Sequence, residues 1–433
     1  MVVDPRCRMT LRGRFLRALA ARKAFTPARM AAYAKRHTAF YAEFYRDHDP
    51  ADFASLPVLR KHLVKERDPY DLLARPLRDK VVYYGETTGS TGSPTPAFYT
   101  AKEFRGATLL TLISPWCTLL REVLRENRTV LNGLAFGFTV AGMSFGDLLK
   151  NVGALVANTG CRSTLATPPR IARGIARLRP SIVAATPIDF LSWMRVLRED
   201  FPGAEPEARG KLRALLMTAE LCGEERVKRL AEHFGIVVID VYACVEGFFS
   251  LPCPCGEKHV LPAYHAELFD DDLGCIGTEG TGRFAFTNLL KRSTPMVRYL
   301  LDDLVTISAS QCPFGFRKSI VVHGRHELTV RIRGEKVNVR HFENVIFAHG
   351  LFGDFRAVIH EDGMAVTLED YAAPAGAAEK VARALTSRFG MPAEVDLVPF
   401  GTITDYREPR KSKPILKVED RRRASTQEPP SLL

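Results

Sequence analysis

Short apolar runs rich in β-branched residues recur from about residue 80 and alternate with segments that have helical spacing. The runs lie at 81–84, 181–186, 212–217, 235–243, 283–290 and 318–324. Between them, segments such as 171–178 and 224–234 repeat apolar residues with the period of an amphipathic helix. This alternation predicts an α/β fold whose ligands bind where the strands end.

The length and the later pattern predict two domains and a tail. A chain of 433 residues exceeds one core of usual size. Residues 1–324, which begin with a mainly helical stretch at 9–65, are expected to form a large mixed α/β domain. Residues 325–420 are expected to form a small α+β domain, with a hairpin at Asp362-Gly363, a helix at 377–389 and a strand at 393–398. Residues 421–433 have the composition of a disordered tail.

The net charge of +12 is concentrated at the two ends of the chain. Residues 1–36 carry a net +9 and residues 407–423 a net +5, which leaves −2 for the remainder. A nucleic-acid-binding protein more often spreads positive charge over a folded face, so no nucleic-acid partner is expected. Solvated ends, or ends that serve a polyanionic small molecule, remain as alternatives.

Cysteine usage and hydropathy predict a cytoplasmic protein with no membrane partner. Nine cysteines are too sparse for a disulfide scaffold, and the first residues contain no apolar stretch typical of a signal peptide. The uncharged stretch at 129–146 is broken by four glycines, which favours a buried strand, turn and helix over a membrane span.

The segment from Tyr84 to Thr95, YGETTGSTGSPT, is the most informative motif. It follows a predicted strand, and its glycines and small residues let backbone N–H groups surround a polyphosphate. Hydroxyl groups along the segment add further donors. The Gly-Lys-Ser/Thr ending of a P-loop is absent, and composition alone fits a surface loop equally well.

Further motifs follow this loop in order. They are Thr218-Ala219-Glu220, Tyr242-Ala243-Cys244-Val245-Glu246, the Arg-Tyr segment at 298–304, Gly324-Arg325 with 331–334, Glu343, and the basic segment at 409–413. In this order the sequence resembles the adenylate-forming (acyl-AMP) superfamily, and specifically its phenylacetate–CoA ligase-like branch. The resemblance implies that superfamily's fold, with a large N-terminal α/β domain and a small, mobile C-terminal α+β domain.

The resemblance also implies an activity: a carboxylic acid is activated with ATP as an acyl-AMP and then passed to coenzyme A. It implies binding of the ATP phosphates by Thr87, Thr88, Gly89, Ser90, Thr91 and Gly92, and of the nucleoside by Ala219, Glu220, Tyr242 and Asp303. Glu246 is expected to hold Mg²⁺, because a hard cation prefers oxygen ligands. Arg325 is expected to bind ribose or phosphate, and Lys413 to bridge the α-phosphate and the carboxylate.

Some positions depart from the branch's pattern. Val245 replaces a hydroxyl residue before the metal-binding glutamate, and Glu86 adds a negative charge at the entry of the phosphate loop. These departures suggest a specialised enzyme. They keep two alternatives open: transfer of the acyl group to an amine or another nucleophile, and a non-catalytic protein that binds nucleotide or acid.

The remaining expectations concern the acid, a second metal and the partners. The resemblance implies an acid-binding wall at 134–142 and 186–189, where aromatic and small residues suit an aromatic acid; a packed strand–helix core is the alternative for each phenylalanine. Cys253, Cys255, His259 and Cys312 supply the donors of a tetrahedral zinc site, which some members of the branch carry in this region; free thiols are the alternative. The expected partner is a small carboxylic acid, and the oligomeric state stays open, a homodimer included.

Overall fold

The computed structural model describes residues 9, 11–87, 94–112, 114–409 and 417–422, without the side chains at 11, 12 and 107–112. The α/β fold class predicted from the sequence is confirmed. No helix in these ranges combines the length and the apolar character that a membrane crossing requires.

Helices occur along the whole described chain. They are α1 (Leu11–Lys23), α2 (Pro27–His37), α3 (Ala39–Phe44), α4 (Lys61–Lys65), α5 (Ala101–Leu112), α6 (Trp116–Glu126), α7 (Ala141–Asn151), α8 (Pro168–Leu178), α9 (Pro187–Asp200), α10 (Glu205–Lys211), α11 (Glu224–Phe234), α12 (Val339–Phe347) and α13 (Ala377–Phe389). Short 3₁₀ turns lie at Phe53–Ser55, Pro69–Leu72, Arg75–Lys80 and His326–Leu328.

The strands belong to five sheets. They are β1 (Val81–Glu86), β2 (Pro96–Thr100), β3 (Thr129–Asn132), β4 (Leu155–Asn158), β5 (Ile182–Ala185), β6 (Ala214–Met217), β7 (Val237–Asp240), β8 (Tyr242–Ala243), β9 (Phe248–Pro252), β10 (Lys258–Val260), β11 (Tyr264–Phe269), β12 (Cys275–Gly277), β13 (Gly280–Asn288), β14 (Tyr299–Ala309), β15 (Lys318–Arg325), β16 (Val330–Ile332), β17 (Glu335–Val337), β18 (Phe355–Ile359), β19 (Met364–Asp370), β20 (Ala393–Pro399) and β21 (Val418–Asp420).

A five-stranded parallel sheet forms the centre of the first part of the chain. Its strand order is β4-β3-β5-β6-β7, and every neighbouring pair is parallel. Helices α8 and α9 each begin with a proline, whose fixed φ suits the first helical turn. They bury Ile171, Ile175, Trp193 and Leu197 in one core cluster with the sheet. The carboxyl ends of β5, β6 and β7 therefore meet at one edge.

An eight-stranded antiparallel sheet follows the parallel sheet along the chain, and its strand order is β12-β11-β13-β14-β15-β10-β9-β8. The sequence predicted a single strand at 235–243, but the chain leaves the parallel sheet at Val241 and enters the antiparallel sheet as β8. Helices α2 and α3 cover this sheet, where Met30, Tyr41 and Tyr45 share a core cluster with Phe286 and Tyr299.

Four of the strands after Arg325 form a sheet of their own, and β16 and β17 form a separate pair. The order of the four-stranded sheet is β20-β19-β18-β21, and the hairpin expected at Asp362-Gly363 joins β18 to β19. Helices α12 and α13 pack on this sheet through Phe342, Val381 and Phe389. The helix expected at 377–389 has those bounds, and the strand expected at 393–398 runs one residue longer.

Candidate active site

A cavity of about 1790 Å³ opens at the carboxyl edge of the parallel sheet. Thr186, Thr218 and Tyr242, which follow β5, β6 and β7, lie in its wall. Pockets for one small ligand usually measure about 300–1,000 Å³, so this cavity has room for more than one. Val339 and Lys417, from the elements after Arg325, also line it.

The base of the predicted phosphate loop lies at this cavity. Thr87 lines the cavity and closes the β1–β2 hairpin: its backbone N–H donates to Thr95 O at 3.1 Å, and its Oγ1 accepts from Thr95 N at 2.9 Å. The other predicted loop residues, Thr88, Gly89, Ser90, Thr91 and Gly92, are outside the described residues. The hairpin thus fixes where the loop begins and ends.

Glu246 is held at the tip of a tight turn between β8 and β9. Cys244 and Gly247 exchange backbone hydrogen bonds across the turn, at 2.8 and 3.3 Å. Glu246 is 1% exposed and lines the cavity. Its Oε1 accepts a hydrogen bond from Tyr299 Oη at 3.1 Å, whereas its Oε2 is buried without a hydrogen-bond partner in the described residues. A buried carboxylate oxygen of this kind needs a cation or a donor.

Tyr242, Asp303 and Arg325 come together as one cluster on the cavity wall. Tyr242 Oη donates to Asp303 Oδ2 at 2.6 Å, and Arg325 Nε lies 3.3 Å from Asp303 Oδ1. Burial, followed by the nearby Asp303 carboxylate, raises the pKa of Tyr242 well above its usual value, so the phenol stays protonated. Arg325 is opposite Asp303 in the β14–β15 register, which sets this contact.

Ala219 and Glu220 lie directly beyond the end of β6 and line the cavity. Ala219 has φ of +68°, a left-handed conformation that is uncommon for any residue with a Cβ atom, so the backbone is strained at this point. Glu220 Oε1 lies 3.4 Å from both Arg226 Nη1 and Lys417 Nζ. The strained turn therefore lies between the ligand space and two cations that Glu220 contacts.

These ion pairs belong to a larger buried charge cluster, which we define as Glu220, Arg226, Glu343, Asp354 and Lys417. Lys417 Nζ lies 3.6 Å from Glu343 Oε1 and 3.2 Å from Asp354 Oδ1. The backbone N–H of Gly223 donates to Glu343 Oε2 at 2.6 Å. Burial opposes the charge on Lys417, but Asp354, Glu220 and Glu343 outweigh it and raise the lysine pKa.

Lys413, the predicted catalytic lysine, is outside the described residues. Four positions further along the chain, Lys417 lines the cavity and has its place in the buried charge cluster. The sequence analysis assigned no task to Lys417. Its ion pairs hold it within the buried charge cluster.

Several cationic residues around the cavity were not predicted from the sequence. They are Lys23 in α1, Lys61 and Lys65 in α4, Lys80, and Lys291 with Arg292 after β13. Most come from the helical region before residue 81. Basic residues at helical spacing there predicted only a solvent-exposed helix face. Positive groups around one cavity favour a polyanionic ligand.

The two phenylalanines of the predicted acid-binding wall do not line the cavity. Phe136 and Phe138 are 39% and 64% exposed, on either side of Gly137 with its φ of +97°. From the same segment, Leu134, Thr139 and Val140 do reach the cavity. The wall at this point is therefore aliphatic and polar.

The two departures at 245 and 86 have local explanations. Val245 packs with Tyr99 and Val140 in a small apolar cluster, and its carbonyl accepts the hydrogen bond of Tyr99 Oη. Glu86 is not among the residues that line the cavity, and its Oε2 accepts a hydrogen bond from Tyr84 Oη at 2.8 Å. Its carboxylate is therefore hydrogen-bonded outside the cavity lining.

The structure brings Cys253, Cys255, His259 and Cys312 together: their donor atoms all lie within 4.8 Å of one another. The β9–β10 hairpin supplies the first three, and the pairing of β10 with β15 brings the loop of Cys312 alongside. The Sγ atoms of Cys253 and Cys312 are 3.7 Å apart, and His259 Nε2 is 3.2 Å from Cys255 Sγ.

Comparison with known proteins gives the following matches. No protein-family model matches the chain. The phenylacetate-coenzyme A ligase of Thermus thermophilus is 26% identical over 344 residues, which span 74% of this chain and 73% of that protein. The crystal structure of a 2-hydroxyisobutyryl-CoA ligase in the postadenylation state, in complex with 2-HIB-AMP, has a TM-score of 0.73 at 19% identity and covers 96% of this chain and 91% of its own.

A structure of an acyl acid amido synthetase in complex with 2,4-DB has a TM-score of 0.60 at 12% identity, with 90% of each chain covered. The resemblance predicted from the order of the motifs is confirmed by these matches.

Proposed function

We propose, from the premise that the chain resembles the phenylacetate–CoA ligase-like branch of the adenylate-forming superfamily, that it is an AMP-forming carboxylate–CoA ligase. One observation carries the proposal: the base of the phosphate loop, the unpartnered oxygen of Glu246 and the Tyr242–Asp303–Arg325 cluster all face one cavity. These groups match the parts of an ATP molecule that reacts at its α-phosphate.

The reaction has two steps. A carboxylate oxygen of the acid attacks the α-phosphorus of ATP, the bond from that phosphorus to the bridging oxygen breaks, and pyrophosphate leaves. In the second step the sulfur of coenzyme A attacks the acyl carbon, the bond from that carbon to the AMP oxygen breaks, and the thiol proton is released. The protein mainly positions the groups and stabilises negative charge.

The described residues have distinct tasks in the first step. Asp303 accepts the hydrogen bonds of the ribose hydroxyls, because a carboxylate offers two acceptor oxygens. The Tyr242 ring, held by its bond to Asp303, forms one side of the adenine site, and the backbone at Ala219 and Glu220 forms another. Arg325 contributes positive charge next to the ribose and phosphate.

Glu246 is the residue we assign to Mg²⁺, and its orphaned Oε2 supports the fit. Bound there with ATP, Mg²⁺ would neutralise phosphate charge. Tyr299 keeps Oε1 occupied, so Oε2 is the oxygen left to face the cation.

We assign residues 1–324 and 325–420 to two domains that change their relative orientation between the two steps. Two features support this assignment: four of the strands after Arg325 have their own sheet, and the cavity is lined from both parts. In this structure the buried charge cluster joins residues 1–324 to residues 325–420. Reorientation would have to separate Lys417 and Glu343 from Glu220 and Arg226.

A structural zinc ion fits the four-residue cluster. Two thiolates at about 2.3 Å from one tetrahedral zinc lie about 3.8 Å apart, close to the 3.7 Å between Cys253 and Cys312. His259 Nδ1 lies 3.2 Å from Lys318 O, which directs Nε2 towards the thiols. Free thiols remain the alternative.

The test of the proposed activity is exchange of labelled pyrophosphate into ATP in the presence of a broad panel of carboxylic acids. Acid-dependent exchange is expected, followed by formation of an acyl thioester when coenzyme A is added. Formation of an amide with an added amine instead would identify the alternative acceptor. Absence of exchange with every acid would favour the non-catalytic binding protein and overturn the proposal.

Two substitutions sharpen this test. Glu246→Gln keeps the size of the side chain and should lower exchange about 100-fold or more, because charge stabilisation at the phosphates is lost. Asp303→Asn should mainly raise the KM for ATP. Asp271→Asn makes the same change outside the cavity lining, where the carboxylate pairs with Lys336 and His326, and should change the KM little.

A further inference from the structure

Two buried hydrogen-bond donors line the cavity and have no hydrogen-bond partner among the described residues. They are Asn288 Nδ2, at the end of β13, and Lys291 Nζ, three residues further along the chain. Asn288 is 1% exposed, and its Oδ1 already accepts from the backbone N–H of Met296 at 3.4 Å. Burying polar groups without partners is costly, so two such donors in one wall indicate a ligand that brings acceptors.

The structure fixes the position of Lys291 without using its N–H donors. Glu103 Oε1 accepts from the backbone N–H groups of Arg292 and Ser293, at 2.7 and 2.9 Å, and this anchors the turn. Glu103 Oε2 accepts from the backbone N–H and hydroxyl of Thr100. The carboxylate next to Lys291 is therefore engaged by other donors.

The ammonium group of Lys291 lies over an aromatic ring on one side. Its Nζ is 3.8 Å from the centroid of the Tyr99 ring, a cation–π contact that holds the charge but uses no N–H bond. Tyr99 packs with Phe104, Val140 and Val245. The ammonium therefore has the Tyr99 ring on one side, while the carboxylates of Glu103 and Glu246 act on its charge without accepting a hydrogen bond from it among the described residues.

We propose that Lys291 Nζ and Asn288 Nδ2 form a subsite for a second oxygen acceptor on the acid, separate from the carboxylate that reacts. The inference rests on the proposed function and narrows the substrate class to acids with a further hydroxyl, keto or carboxylate group. Glu246, which we assign to Mg²⁺ at the ATP phosphates, lines the same cavity, so an acid held at this subsite can present its other end to the ATP.

The experiment compares matched acids that differ only in the second group. Benzoate, 3-hydroxybenzoate, 4-hydroxybenzoate and isophthalate form one set, and phenylacetate with its hydroxy derivatives forms another. Binding is measured by calorimetry without ATP, and activation by pyrophosphate exchange. At least one oxygenated acid should bind about tenfold or more tightly than its parent, since a hydrogen bond to a charged group is lost with the parent.

Lys291→Met is the decisive variant. It keeps a side chain of similar length without the charge, and it should abolish the preference for the oxygenated acid while the parent acid binds as before or better. Asn288→Ala should reduce the same preference. Lys380→Met removes a lysine from the exposed face of α13, far along the chain from the cavity residues, and should change nothing.

Distinct outcomes separate the possibilities. No preference in the unmodified protein, or an equal loss for every acid in Lys291→Met, would overturn the subsite. Weaker ATP binding in Lys291→Met would assign the lysine to the phosphates and would overturn it too. If no acid supports exchange but calorimetry shows the preference, the proposed ligase activity fails while the subsite stands.

Discussion

At the scale of single residues, Lys291 carries a charge where burial opposes it. Burial lowers the pKa of Lys291 to about 8, although Glu103, Glu246 and Cys244 act in the opposite direction. In the unfolded chain the pKa is about 10.5. Below pH 8 the lysine is charged in both states, and the full cost of burial is present. Between about pH 8 and 10.5 only the unfolded chain keeps the proton, so the contribution of Lys291 to stability rises with pH.

This titration predicts how Lys291→Met changes stability. At pH 7 the variant should be more stable than the unmodified protein by roughly 1–3 kcal/mol, and the difference should shrink towards pH 10.5. Denaturant unfolding of both proteins at pH 7, 9 and 10 measures it, and other titrating groups cancel in the comparison. A variant that is less stable at pH 7, or a difference that does not depend on pH, would mean that the ammonium is paired.

The residues around the cavity differ in how readily the sequence alone identified them. Tyr242, Glu246 and Asp303 belong to motifs that occur in a recognisable order in the sequence, and they do line one cavity. Lys291 and Asn288 had no motif around them. Their significance lies in missing partners and in a neighbouring ring, which depend on the folded contacts of distant segments.

At the scale of elements, the strands were the easiest features to predict. Buried parallel strands such as β5 and β6 need continuous apolar residues, and this leaves a direct trace in the sequence. The break between β7 and β8 was missed because Val241 is apolar and buried, as a residue within a strand would be. The contribution of α1 and α4 to the cavity was missed as well, since a basic amphipathic helix usually faces solvent.

Also at the scale of elements, a bound zinc ion would tie the β9–β10 hairpin to the loop between β14 and β15. Metal analysis of the purified protein should find one zinc per chain. Cys253→Ser combined with Cys312→Ser should release it and lower the melting temperature by several degrees, since bound metal contributes folding energy.

Cys275→Ser is the matched control for this change. Cys275 is an exposed cysteine on β12, outside the four-residue cluster, so its replacement should leave both the zinc content and the melting temperature unchanged. A protein that contains no zinc and melts at the same temperature in the double variant would leave free thiols as the correct interpretation.

At the scale of the whole molecule, the buried charge cluster connects the elements before and after Arg325. Lys417→Met would leave Arg226 as the single cation of the cluster beside Glu220, Glu343 and Asp354. Removing one partner of a buried ion pair typically costs about 3–5 kcal/mol, and we expect a loss of that order. Adding Glu343→Gln removes one unbalanced carboxylate and should restore part of the loss.

Chemical denaturation of the single and double variants measures this coupling. Lys336→Met is the control: Lys336 pairs with Asp271 on the surface, where both side chains are more than 40% exposed, and the change should cost less than about 1 kcal/mol. Additive losses in the double variant would contradict the idea that Lys417 and Glu343 act as one unit.

The last prediction concerns how two half-reactions share one molecule. Lys413 is the cation we assign to the α-phosphate and the carboxylate, so it is needed only while the acyl-AMP forms. Lys413→Ala should lower pyrophosphate exchange about 1,000-fold, leave ATP binding nearly intact, and still convert synthetic acyl-AMP and coenzyme A to the thioester. Lys411→Ala, two residues away in the same basic segment, is the control and should keep exchange. If Lys413→Ala lowers the rates of both half-reactions equally, the residue acts on something common to both steps. If it lowers neither rate, another lysine supplies the charge. Lys417 is excluded from that role only if its removal lowers the free energy of unfolding and leaves exchange unchanged.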